Sequence, residues 1–279
     1  MRVNCYLSGN PVHDRVVRAF YDGCASPDKH LRNDDDYAES EVAVIFGMYK
    51  RLVPVSINRG KIFRKQREQE FKVVVLETGY INRGDGEEHH YAAGLNGLNG
   101  RATFRNHGMD ASRLDLLRHD YGLTVYPWRE TGEHVLLCGQ VPWDASVEHV
   151  DHVAWLSDAV AELKTRTTRP IRFRPHPFAP IPAIKGCQYS KATIAEDFAR
   201  AHACVTYNSN SAVEAIIAGV PAFAFDDGSM ALPVASRRWA KIEAPKTPER
   251  EQWLCDLAYT QWTPAEMREG RAWTHLFRP

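Results

Sequence analysis

Residues 207–227 read YNSNSAVEAIIAGVPAFAFDD. Four small hydrogen-bonding side chains, Asn208, Ser209, Asn210 and Ser211, stand between the apolar runs ACVTY (203–207) and AVEAIIAGVPAFAF (212–225). The first run reads as a buried strand. AVEAIIAG reads as a helix that stops at Gly219, with Pro221 preventing its continuation, and PAFAF reads as the next strand. With Ser211 as N-cap, Glu214 falls at N3, and the pair predicts a capping box. The box uses Ser211 and Glu214 and leaves Asn208, Ser209 and Asn210 without a task. A helix N-terminus at a strand end also presents free N–H groups and the positive end of a dipole, which suits a phosphate. The tip from Asn208 to Ser211 is therefore read as an anion site, with Glu214 placed to bond a ribose hydroxyl.

The same alternation extends outward. EHVLLCGQ (133–140) predicts a strand, and SVEHVDHVAWLSDAVAELKTRT (146–167) predicts a helix with Val150, Val153, Leu156, Val160 and Leu163 on one face. PIRFRPHP (170–177) is a strand cut off by Pro175 and Pro177, and IAEDFARAHA (194–203) is a helix. This succession calls for a parallel sheet with helices on both faces. The first half offers short buried strands, VNCYL (3–7), VAVIFGM (42–48) and KVVVLET (72–78), separated by helical or irregular segments. The class is α/β. A boundary at PWRETGE (127–133) divides the chain into domains 1–130 and 131–279.

Composition narrows the class of activity. Hydrophobic residues make up 44% and charged residues 25% of the 279, as in soluble globular proteins. No apolar run approaches the ~20 residues of a membrane span, and the N-terminus MRVNCYLSGNPVHDR has no signal-peptide core. The expectation is a cytoplasmic protein without a membrane partner. Lys+Arg and Asp+Glu both total 35, which argues against a chain covered in nucleic-acid-binding charge. Residues 50–72, KRLVPVSINRGKIFRKQREQEFK, are nevertheless basic: a solvated face or a binding patch. The six cysteines form no C-x-x-C pair and read as reduced thiols, and the twelve histidines lack ligand spacing, so no metal site is expected. No P-loop or G-x-G-x-x-G occurs, which removes the main support for kinase and dinucleotide-dehydrogenase readings.

In sheets of this kind ligands lie beyond the carboxyl ends of the strands. Three polar motifs fall there: GQVPWDAS (139–146), RPHP (174–177) and YNSNS (207–211). Gln140, Asp144 and Ser146 can bond a nucleotide, though Asp144 or Ser146 can equally cap the next helix. Arg172 and Arg174 share a strand face, and Arg174 with His176 suits a phosphate. Glu77, just after KVVVL, is placed to act as base or nucleophile, or to cap a turn. The Gly- and Asn-rich stretch GLNGLNGRATFRN (94–106) reads as a loop.

ETGYINR (77–83), GQVPWDAS, RPHP and NSNSAVEAIIAGVP (208–221), in that order, resemble the capsule-polysaccharide synthesis family of glycosyltransferases, which includes the retaining Kdo transferases. The resemblance covers roughly residues 70–230. It implies a GT-B architecture of two Rossmann-like domains facing a cleft, the first on the acceptor side and the second binding the donor. It implies a UDP- or CMP-linked sugar as co-substrate, with no metal or other cofactor. It places Gln140, Asp144 and Ser146 near the donor nucleotide, and His176 and Ser209–Ser211 near its phosphates. The family's acidic motif runs approximately E-D-G-F-x-R-S. Here the second acid is Thr78 and the arginine, Arg83, is shifted by one, so Asp85 stands beside Glu77 as a rival catalytic acid. The compact chain also resembles phage transferases that glycosylate hydroxymethylated pyrimidines in DNA. On that reading Arg64, Lys65 and Arg67, with Arg101 and Arg105, track a phosphate backbone, the target base is flipped out or single-stranded, and the site of action is the host cytoplasm. DNA is placed first as acceptor and a capsule or surface saccharide second. An NDP-sugar epimerase and a non-catalytic nucleotide- or DNA-binding module are the alternatives.

Overall fold

The computed structural model describes residues 1–48, 53–182 and 184–278. The chain divides into two compact units: Met1–Leu123 together with Leu254 to the C-terminus, and Thr124–Trp253.

Unit 1 begins β1 (Val3–Leu7), α1 (Pro11–Asp22), β2 (Lys29–Asn33), β3 (Val42–Phe46), α2 (Ile57–Glu68), β4 (Lys72–Thr78), β5 (Tyr91–Leu95) and α3 (Ser112–Asp120). The strands β2-β1-β3-β4 run parallel, and β5 joins β4 antiparallel. Alternation sorts β4 between two cores. Val74 and Leu76 pack with Val16, Val17 and Phe20 of α1, while Val73 and Val75 pack with Ile62 of α2. The next residues inherit this pattern, so Glu77 lies on the α2 face and Thr78 on the α1 face.

Unit 2 runs β6 (His134–Cys138), α4 (His152–Arg166), β7 (Ile171–Arg174), β8 (Gln188–Tyr189), α5 (Ile194–Arg200), β9 (Ala201–Thr206), α6 (Ser211–Ile217) and β10 (Ala222–Ala224). All five strands are parallel, in the order β10-β9-β6-β7-β8. The alternating pattern read from sequence is therefore present, with shifted boundaries. The helix read from 146 starts only at His152, because the Asp151 carboxylate caps the N–H groups of Val153 and Ala154. Leu156, Val160 and Leu163 are buried as expected, but Val153 is exposed and Val150 precedes the helix. The helix read as 194–203 ends at Arg200, and β9 takes over at Ala201.

After α7 (Glu251–Ala258) come β11 (Gln261–Trp262), α8 (Pro264–Arg268) and α9 (Arg271–Phe277). The sequence reading ran its second domain on to residue 279. Instead β11 pairs antiparallel with Tyr91 and Ala92 of β5, and Trp262, Met267, Trp273 and Leu276 join the α1 core of unit 1. Buried Arg113 of α3 holds this segment. It donates to the carbonyls of Ala258 (3.1 Å) and Gln261 (2.7 Å), pairs with Glu266 (2.7 Å), and lies 3.8 Å over the Trp262 ring. A two-residue strand carries too little pattern to be seen in the sequence.

Removing one member of a buried ion pair strands the other. Arg113→Ala is expected to cost about 3–5 kcal/mol of unfolding free energy in urea. Burial pushes the Glu266 carboxyl up, but the bonds from Arg113 outweigh it and hold the group below its ordinary value. The pair's contribution is therefore present above about pH 4.3 and lost as pH falls through the lowered value. Arg113→Ala should accordingly flatten the acid limb of the stability profile. An Arg113→Ala protein with wild-type urea midpoint would show that the clamp is idle.

Candidate functional site

In unit 2 the chain passes from β6 to β7 and β8 on one side, then returns to place β9 and β10 on the other. The switch point lies between the carboxyl ends of β6 and β9, where open α/β sheets bind ligands. The loops after these strands carry Gln140 and Asn208. Gln140 Oε1 accepts the Asn208 backbone N–H (3.0 Å), and Gln140 Nε2 donates to Asn208 Oδ1 (2.6 Å). Asn208 Nδ2 donates in turn to the Ser146 carbonyl (2.8 Å) and to Asp226 Oδ1 (2.7 Å), which also accepts the Gly228 N–H (2.8 Å). Asp226 Oδ2 lies 3.1 Å from His149 Nε2, itself 3.1 Å from the Tyr207 hydroxyl. Three loops, after β6, β9 and β10, are thus laced together by buried polar groups that satisfy one another. Gln140 and Asn208 shape the site's walls.

Asp144 and Ser146 also have local work. Asp144 Oδ1 accepts both the N–H and the hydroxyl of Ser146, each at 3.0 Å, closing a turn. Neither residue caps α4, since Asp151 does. His152 Nε2 accepts the Gln140 N–H (3.0 Å), and its ring stacks on Trp155. Burial pushes the His152 imidazolium down to about 4, so the ring is neutral near pH 7 and able to accept.

At the tip, the predicted capping box does not form. Asn210 already has helical dihedrals, α6 begins at Ser211, and no side chain caps it. Glu214 falls a position too late for the box, and its Oε1 accepts Asn210 Nδ2 instead (2.9 Å). Ser209 Oγ accepts the Ser211 N–H (3.2 Å), while the Ser209 N–H is held by Thr206 Oγ1 (2.8 Å). Ser211 Oγ is buried and makes no hydrogen bond.

Strand β7 lies beside β6, so its end shares that edge of the sheet. Arg172 and Arg174 do share a face, but it faces α5. There Arg174 donates to Asp197 Oδ2 (3.0 Å) and the Ala192 carbonyl (2.6 Å), and Arg172 to Asp197 Oδ1 (3.3 Å). Asp197 is fully buried and needs these counter-charges. Arg174, read as a phosphate ligand, serves the fold through Asp197. His176 Nδ1 accepts the Phe178 N–H (3.2 Å), so a neutral ring carries its proton on Nε2.

In unit 1, Glu77 ends β4. Its Oε1 accepts the Thr78 N–H (2.9 Å), and its Oε2 faces Gly47 at the end of β3. Asp85 is exposed on a turn, with its backbone carbonyl bonded to Arg15. Of the two acids, only Glu77 stands at a strand end. Several of the basic residues have partners within the chain. Lys65 sits 4.7 Å over the Tyr37 ring, Arg67 Nη1 bonds the Phe71 carbonyl (3.0 Å), and Arg105 exchanges guanidinium–carbonyl bonds with Arg278. Arg64 and Arg101 are exposed on separate elements. Lys50, Arg51 and Leu52 of the basic segment lie outside the described residues. Among the described residues, no helix is long and apolar enough to cross a membrane.

Sequence reasoning missed His149, His152, Tyr207 and Asp226. Asp226 carried a signal, a carboxylate directly after the PAFAF strand. His149 and His152 were hidden inside a predicted helix.

No protein-family model matches the chain, and no curated protein matches it. Among solved structures it is similar to the Thermosulfurimonas dismutans KpsC β-Kdo 2,7 transferase, with TM-score 0.60 and 15% identity over 97% of this chain and 98% of that one. The T. dismutans KpsC β-Kdo 2,4 transferase follows, with TM-score 0.59 and 14% identity over 93% and 90%. These likenesses establish the fold, a GT-B-type arrangement of two Rossmann-like units.

The His152 acceptor gives this site a pH signature. The folded-state value is depressed, so its stabilisation is complete above the ordinary histidine value of about 6.5 and is lost as pH falls toward about 4. Amide-exchange protection at Gln140 is expected to hold from pH 8 to about 6.5 and then decline, after correction for intrinsic exchange. Constant protection down to pH 4 would contradict the assignment.

Proposed function

We propose that the chain is a glycosyltransferase that moves a sugar from a nucleotide-activated donor to a saccharide hydroxyl. Unit 2 holds the donor nucleotide at the carboxyl ends of β6, β7 and β9, and Glu77 of unit 1 supplies the carboxylate on the acceptor side. The observation that carries this reading is the laced switch point of unit 2. Gln140, Asn208 and Asp226 fix the loop that presents Ser209 and Ser211, and His176 follows β7, the strand beside β6. Such preorganised donors suit a diphosphate or monophosphate whose charge grows as it leaves. In the reaction the bond from the anomeric carbon to the phosphate oxygen breaks, and its electron pair stays on that oxygen. The sugar passes to the acceptor oxygen, directly or through a glycosyl–carboxylate intermediate, and the hydroxyl proton goes to a carboxylate. Glu77 fits as base or as nucleophile. The donor is UDP- or CMP-linked. The likeness in fold to the two Kdo transferases supports the same class of chemistry.

A saccharide is preferred to DNA because Lys65, Arg67 and Arg105 each have an intramolecular task. A DNA acceptor calls for several cations turned toward successive phosphates.

The test incubates the full chain with a panel of UDP- and CMP-linked sugars. Saccharides and hydroxymethylpyrimidine DNA are offered as acceptors, and mass spectrometry reads the products. Donor consumption that depends on a saccharide is expected. Modified DNA with untouched saccharide would replace this acceptor with the other. By calorimetry, His176→Ala and Ser209→Ala should each weaken donor binding by roughly 10- to 100-fold, the scale of a lost charge-assisted hydrogen bond. Glu77→Gln should leave binding intact and slow turnover about 100-fold or more. Wild-type affinity in both unit 2 variants would remove the donor site from this edge.

A further inference from the structure

Unit 1 has a switch point of its own. From β1 the chain goes to β2 on one side and then to β3 on the other, so the crevice lies between the carboxyl ends of β1 and β3. Its margins are unusual in composition. The loop Ser8–Gly9 after β1 is held by Asp14, whose two oxygens accept the Ser8 (2.7 Å) and Gly9 (3.1 Å) N–H groups. Gly47 follows β3 with φ +67, a conformation that favours glycine. The His13 ring stacks on Phe46 at 4.1 Å. Beneath these lies Arg59 of α2, only 6% exposed. Its Nη1 donates to the Phe46 carbonyl (2.6 Å), and its Nε is buried without a hydrogen-bond partner.

Arg59 and Glu77 approach one point from two sides. A side-chain carbon placed on Gly47 would lie 3.2 Å from Arg59 Nη1 and 3.5 Å from Glu77 Oε2. Gly47 itself puts no side chain at that point. Among the described residues, the other charges near Arg59 are Asp34, just after β2, and Asp14. Asp34 Oδ1 accepts Asn58 Nδ2 (3.2 Å), but its Oδ2 is buried with no partner. Buried Tyr80 is the further titratable neighbour of Glu77. Two carboxylates at strand ends, Asp34 and Glu77, and a third in the first turn of α1, Asp14, thus lie near one buried guanidinium.

We propose that Arg59 is a positioning residue for Glu77: pinned to the last carbonyl of β3, it keeps the Glu77 carboxylate aimed into the switch-point crevice of unit 1, where an acceptor hydroxyl is received. This rests on the reading of Glu77 as the acceptor-side carboxylate. Base and nucleophile both act as the anion, so a fixed positive charge beside Glu77 serves either role. Gly47 is part of the device, since a side chain there would fill the space the two head groups face.

The experiment uses the full chain and the variants Arg59→Met, Arg59→Lys, Glu77→Gln and the Arg59→Met/Glu77→Gln double. Thermal unfolding, which needs no substrate, comes first. The double variant should lose less in melting temperature than the two single losses combined, because the pair is coupled. Additive losses would overturn the proposal. If Arg59→Met does not fold, the same cycle run with Arg59→Gln and Glu77→Gln decides it by the same criterion. Turnover of the UDP- and CMP-sugar panel comes second. Arg59→Met should lower kcat about 30-fold or more with KM for the donor nearly unchanged, Arg59→Lys should recover most of the loss, and the double should be no slower than Glu77→Gln alone. A kcat unchanged in Arg59→Met would also overturn it. Full turnover by Glu77→Gln would instead sink the functional reading of Glu77, while the unfolding cycle would still report on the pair.

Discussion

Unit 2 depends on a pair of carboxamides. Gln140 and Asn208 sit on loops after adjacent strands, and each satisfies the other: a backbone N–H meets Oε1, and Nε2 meets Oδ1. Buried amides cost free energy unless every group is paired, and this one reciprocal contact pairs them across the switch point. Everything else at that edge is registered to it. Asn208 brings in Asp226 and the Ser146 carbonyl, and Asp226 brings in His149 and Gly228. Neutral His152 supports Gln140 from beneath. With these loops fixed, the Ser209–Ser211 tip after β9 is held in one arrangement.

How much of this could be read from the sequence follows from the range of the forces involved. Strand–helix alternation is local, and the runs at 3–7, 42–46, 72–78, 134–138 and 171–174 became strands. The three polar motifs lie at strand carboxyl ends because each begins where β6, β7 or β9 stops. What local sequence does not carry is the partner each side chain finds within the fold. Arg174 was read as a phosphate ligand because nothing local announces that Asp197, 23 residues on, is buried and requires it. Lys65 was read as a DNA contact, whereas Tyr37 takes its charge through the ring face. The capping box failed by one position, since S-x-x-E has the right spacing whether or not the serine is the N-cap. The return of residues 254–279 to unit 1 rests on Arg113 and a two-residue strand, a contact of long sequence separation and short pattern.

The two switch points are built to different rules, and the difference fits different work. That of unit 2 pairs its carboxamides with each other and with one carboxylate, and what it leaves buried and unpartnered, His152 Nδ1 and Ser211 Oγ, belongs to neutral groups. Such a network rigidifies, and its specificity comes from shape. That of unit 1 leaves charge unspent. Arg59 Nε and Asp34 Oδ2 are buried without partners, and Glu77 Oε2 looks across Gly47 rather than into a salt bridge. Folding gains nothing from such an arrangement, because buried charges held apart cost desolvation without full recovery. Sequences agree with their folds at most positions and depart from local economy where chemistry requires it. By that criterion the charge left unpaired marks unit 1. Strand alternation explains why it is Glu77 that shares this place: it turns Thr78 toward α1 and Glu77 toward α2, the helix that carries Arg59.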